Sequence, residues 1–295
     1  MSGPRGLRAV VPERVAARLE VRRALGERRR FGPPPGWRAA SGPAARPVLE
    51  AHGLRKRFDG IAAVDGVSLS VRRGSIHALI GPNDAGKTTL LNLLTGVVPP
   101  DEGRIVFRGR DVTGISPWRL AQQGIGRSFQ QASLFWALSA SENLVLAGAV
   151  ASGETRRLYG RMAPALGREA RAALSRVGLG ALSPGLAADD LSHGDQRSLE
   201  LAVATAGRPS LLLLDEPTAG LSPRETRDAV ALVRRLVREE DLTLLFVEHD
   251  MEVVFGIADR ITVMHQGRVL AEGPPGEISA NAAVREAYLG DIDGP

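Results

Sequence analysis

The run Gly81–Thr88, with the sequence GPNDAGKT, is the first segment whose residue types and spacing indicate chemistry. It follows an apolar run, Ile76–Ile80, and precedes a helical pattern, so its backbone amides can turn inward at the positive end of a helix. In such a loop Lys87 reaches the β and γ phosphates of a nucleotide, and the Thr88 hydroxyl binds Mg²⁺. We therefore predict an ATP and Mg²⁺ site built from Gly81, Pro82, Asn83, Asp84, Ala85, Gly86, Lys87, Thr88 and Thr89.

Two adjacent carboxylates follow a second apolar run, Leu211–Leu214. Neighbouring residues of a strand point to opposite sides of the sheet, so Asp215 and Glu216 are expected to face different surroundings. Asp215 is then placed to complete the Mg²⁺ shell, and Glu216 to orient or deprotonate an attacking water molecule. An Asp-Glu pair alone is often part of a solvated turn. It indicates a metal and water site here because the same chain also contains the phosphate-binding run.

The segment Leu191–Arg197, with the sequence LSHGDQR, resembles the LSGGQ signature of the ABC transporter ATPases and lies about 20 residues before the carboxylate pair. It keeps Ser192, Gly194 and Gln196 and departs from the signature at His193 and Asp195. A serine cap followed by a helix forms a second phosphate-binding end. In the family this end meets the γ-phosphate held by the opposite subunit, so the resemblance implies a dimer.

Three further residues match functional positions of that family. Phe58 stands where the family stacks an aromatic ring on adenine, with a core aromatic as the alternative. Gln130 matches the glutamine that contacts Mg²⁺ or the water, and His249 matches the histidine that holds the γ-phosphate. The resemblance implies catalytic roles for Glu216, His249 and Gln130 and metal contacts from Thr88, Gln130 and Asp215.

Two further departures from the family bear on turnover. Asp84 stands where the family usually has Gly or Ser, and it adds a negative charge beside a triphosphate. We expect a working but weaker ATP site, because Asp tolerates the left-handed backbone that such loops often use. Ser222 stands where many members carry an acid, which leaves communication across the dimer open. A subunit that binds ATP but barely hydrolyses it is the alternative that these departures suggest.

Strand-length and helical patterns alternate along the chain from Pro47 onward, which predicts an α/β fold with a mostly parallel sheet covered by helices. The predicted strands are Val48–Ala51, Val67–Val71, Ile76–Ile80, Arg104–Phe107, Leu211–Leu214 and Thr243–Val247. The predicted helices are Lys87–Leu94, Arg168–Val177 and Pro223–Arg238. The resemblance implies a P-loop NTPase core of the RecA-like type with an antiparallel β subdomain and an inserted α-helical subdomain at about residues 137–190.

Composition limits the remaining possibilities. The 295 residues are 43% hydrophobic, which suffices for one large packed domain, and they include no cysteine, which excludes disulfides and thiol redox chemistry. No apolar run reaches the roughly 18 to 20 residues of a membrane-spanning helix, so we expect membrane contact through a partner or a surface. Only Lys56 and Lys87 are lysines among 38 basic residues, so each is a candidate for a required role.

The positive charge belongs to the N-terminal segment. Residues 1–46 hold 11 arginines and three glutamates, so this segment alone carries more positive charge than the net +5 of the whole chain. Residues 47–295 are therefore net negative. We interpret 1–46 as a flexible Arg- and Pro-rich tail preceding a nucleotide-binding domain at 47–295. The spacing of Val11, Val15 and Leu19 leaves a basic amphipathic helix on anionic lipid as an alternative.

The segments GIGRSFQ at 124–130, SHGDQ at 192–196 and VREAYLG at 284–290 look like the uptake systems for branched-chain or other hydrophobic amino acids. The resemblance implies a subunit that energises an importer from the cytoplasmic face of the membrane. Its implied partners are a second ATPase subunit in a heterodimer, two membrane permease subunits and an extracytoplasmic binding protein, with no nucleic acid.

Two alternatives to an amino acid importer remain. A urea or amide importer of the same group is the nearest. A non-transport ABC ATPase acting on nucleic acid or ribosomes has only the basic tail in its favour, and this chain lacks the second cassette or long coiled coil that such proteins usually carry.

Overall fold

The computed structural model describes residues 47–128, 134–153, 163–183 and 185–289, so the predicted tail and Gln130 lie outside the described residues. The strands are β1 (Pro47–Phe58), β2 (Ile61–Arg72), β3 (Ile76–Ile80), β4 (Glu102–Phe107), β5 (Arg110–Asp111), β6 (Ile125–Arg127), β7 (Leu211–Asp215), β8 (Thr243–Val247), β9 (Arg260–His265) and β10 (Arg268–Gly273). The helices are α1 (Lys87–Leu94), α2 (Pro117–Gln123), α3 (Ala140–Ser152), α4 (Ala163–Arg176), α5 (His193–Thr205), α6 (Pro223–Glu239), α7 (Met251–Ile257), α8 (Pro275–Ala280) and α9 (Ala282–Leu289).

The larger sheet has six strands in the order β10-β9-β3-β8-β7-β6. Its neighbouring strands run parallel except at the edge, where β10 pairs antiparallel with β9. Every residue of β3, β7 and β8 is buried, as expected for strands covered on both faces. The predicted mostly parallel sheet is confirmed.

The smaller sheet is antiparallel, with the order β2-β1-β4-β5. Its first two strands are 12 residues each, much longer than the apolar runs that predicted them. They are joined through Asp59 and Gly60, whose φ values of 48° and 85° suit a tight hairpin turn. The antiparallel subdomain implied by the resemblance is therefore present.

The larger sheet separates two hydrophobic cores, because successive strand residues point to opposite faces. Leu212 and Leu214 of β7 join one core with α3, α5, α6 and α7. Leu211 and Leu213 join the other core with α1 and the smaller sheet. Helix α1 contributes four leucines to that second core, so it packs against both sheets and its first turn lies at their junction.

Between β6 and β7 the described residues form helices and no strand. Helix α3 starts at Ser139 with a reciprocal cap in which Glu142 accepts from the Ser139 amide and Ser139 accepts from the Glu142 amide. A single bridge between Ser139 and Ala187 brings the two ends of this helical segment together. In the part of the chain that the structure describes, no helix is both long and apolar enough to cross a membrane.

Candidate active site

The run from Gly81 to Gly86, here called the phosphate loop, joins β3 to α1. A Cβ on Gly81 would lie 2.2 Å from the Met264 carbonyl oxygen, and a Cβ on Gly86 would lie 2.2 Å from the Ala63 carbonyl oxygen. Gly86 also has a φ of 94° and is the N-cap of α1, with no side chain capping that helix. The first amides of α1 therefore face the loop, as phosphate binding requires.

The phosphate loop is attached to both sheets through Gly267, which lies between β9 and β10. The Gly267 amide donates to the Ala85 carbonyl at 3.1 Å, and the Gly267 carbonyl accepts from the Asp65 amide of β2 at 2.8 Å. These two main-chain bonds connect the loop to the larger sheet on one side and to the smaller sheet on the other.

The Lys87 side chain folds over the loop. It is 7% exposed, and its ammonium donates to the carbonyl oxygens of Gly81 and Pro82 at 2.8 Å each. Burial lowers the pKa of Lys87, while the nearby carboxylates of Glu216, Asp215 and Asp84 act in the opposite direction. The acids at the end of β7 thus lie within electrostatic reach of the lysine, which brings the two predicted halves of the site together.

Asp84 lies at the exposed tip of the loop with a left-handed backbone, φ 65°. The expected left-handed conformation of Asp84 is confirmed. Thr88, the predicted Mg²⁺ contact, is exposed, and Thr89 is half-buried.

Asp215 ends β7 and is 3% exposed. Its Oδ1 atom has no hydrogen-bond donor among the described residues, although it is buried. Burial raises the pKa of Asp215, and the Arg127 guanidinium opposes that shift. A buried carboxylate oxygen without a donor suits a cation, because leaving it unpaired costs free energy.

The direction of the Glu216 side chain is set by its backbone conformation. The expectation that strand alternation separates Asp215 from Glu216 is therefore wrong. The strand ends at Asp215, and Glu216 has a left-handed φ of 50°. Its amide still donates to the Val247 carbonyl of β8 at 2.9 Å. One carboxylate oxygen of Glu216 lies 3.1 Å from Nε2 of His249, which follows β8. The two residues are 30% and 45% exposed, so both side chains are open to a ligand.

The signature segment starts helix α5, with Ser192 as its N-cap. The Ser192 hydroxyl accepts from the Asp195 amide at 3.2 Å and donates to the Asp195 carboxylate at 2.7 Å. Gln196 donates to the Ala188 carbonyl at 3.3 Å. Across the described ranges, Ser192, Gly194 and Gln196 make no hydrogen bond to the phosphate loop of their own chain.

Phe58 ends β1 and is 46% exposed, so the alternative of a core aromatic is wrong. The Lys56 ammonium lies 5.6 Å from the Phe58 ring centroid and is held there by Asp101 at 2.7 Å. Lys56 thus has a local role beside the exposed ring, while Lys87 lies in the phosphate loop region.

Ser222 is the N-cap of α6 and forms a reciprocal cap with Glu225. The sequence missed this role, although the spacing of Ser222 and Glu225 is the capping-box pattern. It also missed Glu248, which is 4% exposed, and Arg197, whose guanidinium donates to the Glu216 and Pro217 carbonyls. Glu248 directly precedes His249, and nothing in the local sequence indicated a role of its own for this acid.

The parallel sheet, the glycine-bounded loop and the uncapped first turn of α1 define a P-loop nucleotide-binding fold. The family described as ABC transporter matches residues 64–219, and the family described as branched-chain amino acid ATP-binding cassette transporter matches residues 268–293. The chain belongs to the ABC transporter family.

Two curated relatives are similar over nearly their whole length. The high-affinity branched-chain amino acid transport ATP-binding protein BraF of Pseudomonas aeruginosa is 42% identical over 255 residues, which cover 84% of this chain and 99% of that protein. The protein LivG of Escherichia coli K12, described in the same words, is 40% identical over 258 residues, with the same two coverages. A solved structure, the ADP conformation of MJ1267, an ATP-binding cassette of an ABC transporter, has a TM-score of 0.74 at 31% identity and covers 83% of this chain and 99% of that one.

Proposed function

We propose that this chain binds and hydrolyses ATP to drive an ABC importer for branched-chain amino acids. The observation that carries the catalytic part is the 3.1 Å approach of Glu216 to His249 beside the buried Asp215 and the phosphate loop. The substrate class is supported by the relatives BraF and LivG and by the match of residues 268–293.

The chemistry follows from the positions of these side chains. The loop amides and the Lys87 ammonium bind and neutralise the β and γ phosphates, and the exposed Phe58 ring offers its face to adenine. The Thr88 hydroxyl and the Asp215 carboxylate would hold Mg²⁺, which supplies charge neutralisation when bound. Glu216 orients a water molecule and accepts its proton, and His249 donates to the γ-phosphate. Gln130, the other proposed contact, lies outside the described residues.

Mg²⁺ is expected to arrive with the nucleotide. Among the described residues no group of three or more acidic, histidine or cysteine side chains could hold a metal ion by itself. Mg²⁺ commonly uses one or two protein oxygens together with substrate phosphates and water, which fits Asp215 and Thr88.

We also propose that the signature residues Ser192, Gly194 and Gln196 act on the ATP of a partner subunit. They make no hydrogen bond to their own phosphate loop, and the capped start of α5 has amides for a phosphate from outside the chain. A second ATPase subunit, in a heterodimer, is the partner we propose.

A groove of about 280 Å³ between α2, β6 and α3 is the surface we propose for the permease. Its lining is mainly apolar and includes Leu120, Ala147 and Val150, with Phe135 at its edge. Phe135 and Val150 are 62% and 51% exposed, and Trp118, the residue after the lining residue Pro117, is 54% exposed. Large exposed apolar side chains clustered at a groove are typical of protein contact sites. The chain would then lie on the cytoplasmic face of the membrane, attached through two permease subunits that receive substrate from an extracytoplasmic binding protein.

An uptake assay tests the function directly. Cells lacking this chain would receive the parent or the Glu216→Gln variant, and uptake of labelled leucine, valine, urea and acetamide would be measured. We expect the parent alone to restore leucine and valine uptake. Restoration of urea or acetamide uptake without the amino acids would overturn the substrate class, and permease subunits should co-purify with both forms.

A further inference from the structure

The distance between Glu216 and His249 is set by two separate loops. Glu216 follows β7, His249 follows β8, and each side chain is partly exposed. A contact of 3.1 Å between two open side chains holds only if the two backbones are fixed relative to each other. The parallel pairing of β7 with β8 ends at Asp215 and Val247, one residue before Glu216 and two residues before His249.

Glu248 joins the two loops beyond the end of the sheet. One oxygen of its buried carboxylate accepts from the Thr218 amide at 2.8 Å and from the Thr218 hydroxyl at 2.6 Å. The other oxygen accepts from the His249 amide at 3.0 Å. Three donors from two loops thus converge on one side chain, and a carboxylate is the group that accepts all three without presenting a donor of its own.

The Glu216 turn is held from its other side by Arg197 of α5. The Arg197 Nε donates to the Pro217 carbonyl at 2.7 Å, and the Arg197 Nη2 donates to the Glu216 carbonyl. The left-handed Glu216 backbone therefore lies between Arg197 on one side and the bonds of Glu248 to Thr218 on the other. Strained backbone of this kind persists only where its surroundings hold it.

We propose that Glu248 is a positioning residue for ATP hydrolysis, which sets the relative placement of Glu216 and His249 by binding Thr218 and the His249 amide. In this role it acts through the two residues that it places. The inference rests on the proposed function, in which Glu216 acts on the attacking water.

The test compares Glu248→Gln with the parent in the transporter complex that co-purifies with the chain. A glutamine keeps the size and one acceptor oxygen, but its amide turns a donor toward the His249 or Thr218 donors. We expect kcat to fall at least about tenfold, because small displacements of catalytic groups are costly, while the Kd for ATP stays within about twofold. Nucleotide affinity is expected to persist because, among the described residues, the hydrogen bonds of Glu248 go to Thr218 and His249 and not to the phosphate loop.

Two further variants keep the test decisive if Glu248→Gln does not fold. Thr218→Val removes only the hydroxyl bond, and we expect a fall in kcat of about three- to fivefold, or near 0.7 to 1 kcal/mol. Thr218→Ser keeps the hydroxyl and should restore kcat to within about twofold of the parent. Equal kcat values for the valine and serine variants would overturn the proposal.

Glu272→Gln is the matched control. Glu272 accepts from Arg260 at 2.6 Å and from Thr262 at 3.1 Å, far along the sheet from the Glu216 turn. We expect it to lower Tm without changing kcat. The proposal is wrong if Glu248→Gln keeps kcat within twofold of the parent, or if Glu272→Gln lowers kcat as much as Glu248→Gln does for the same fall in Tm. If that outcome is found while the parent hydrolyses ATP and Glu216→Gln does not, the role of Glu248 is contradicted and the proposed function is not.

Discussion

The Glu216 carboxylate owes its direction to a left-handed backbone held between α5 and the loop after β8. This arrangement leaves the side chain itself partly free, in contact only with His249 among the hydrogen bonds and ion pairs of the described residues. A carboxylate so placed can approach a ligand without first breaking a strong internal bond. The proposed role as the group that activates water can therefore be tested by changing one atom.

Glu216→Gln should keep ATP binding and lose at least about 100-fold in hydrolysis, because an amide orients water but does not accept its proton. ATP-bound dimer should accumulate, which size-exclusion chromatography would detect, and phosphate release would report turnover. Glu239→Gln is the control, since Glu239 is the exposed last residue of α6 and is not one of the proposed site residues. Hydrolysis within about threefold of the parent would remove Glu216 from this role.

Asp84→Gly should tighten ATP binding about fivefold, near 1 kcal/mol, and ADP binding less, because ATP carries the extra charge. The exposed left-handed position accepts glycine without strain, so charge is the main change. Asp84→Asn should behave in the same way, because asparagine also tolerates that backbone. Titration calorimetry measures both affinities. ATP and ADP affinities that both stay within twofold would show that Asp84 points its charge into solvent.

The proposed site residues could be named from sequence because they belong to motifs with fixed spacing, while the residues that support them could not. Asp215 and Glu216 follow an apolar strand, and Lys87 ends a glycine-bounded run, so local pattern was enough. Glu248 and Arg197 act through contacts about 20 to 30 residues away along the chain. Such contacts depend on the strand order, which no local pattern specifies.

Among the elements, those buried on both faces were predicted closely. The strands Ile76–Ile80 and Thr243–Val247 and the helix Lys87–Leu94 have the predicted bounds, because continuous apolar runs end where burial ends. The short elements β6 and α2 gave no signal, since three and seven residues carry too little periodicity. Strand β6 is present because it pairs with β7, and that partner comes more than 80 residues later.

Helix α6 offers a prediction at this scale, through the reciprocal cap of Ser222 and Glu225. Ser222→Ala should lower the free energy of unfolding by about 1 kcal/mol, because it leaves an amide of the first turn without its acceptor. Ser222→Asp should keep the parent stability, since aspartate caps equally well, and it places an acid where many family members have one. Urea unfolding monitored by circular dichroism would measure both. Equal stability of the alanine variant and the parent would contradict the capping role.

At the scale of the whole molecule, a fully buried histidine ties stability to pH. His77 lies in the middle of the larger sheet, with Nε2 2.8 Å from the Thr262 hydroxyl. Burial lowers the pKa of His77 to about 3, with Arg260 and Arg72 adding to the shift. The folded chain therefore binds fewer protons than the unfolded chain at pH values between about 3 and 6.5.

Stability should accordingly fall as pH falls below about 6.5, by up to roughly 1.4 kcal/mol for each pH unit from this residue. The His77→Gln variant lacks the titrating group and should lose less stability over the same range. Unfolding free energies at pH 7, 6, 5.5 and 5 would be compared for the two proteins. Parallel pH dependences would show that His77 does not titrate on unfolding.

The main-chain bonds of Gly267 carry a further consequence, which concerns motion. Because Gly267 binds Ala85 of the phosphate loop and Asp65 of β2, the two sheets cannot shift against each other without deforming the loop. A nucleotide that orders the phosphate loop should therefore reduce local opening at the junction between the two sheets. Hydrogen–deuterium exchange at the Gly267 and Asp65 amides should slow on ATP binding, although neither residue belongs to the phosphate loop. Exchange at the Glu142 amide, in the distant cap of α3, should stay unchanged.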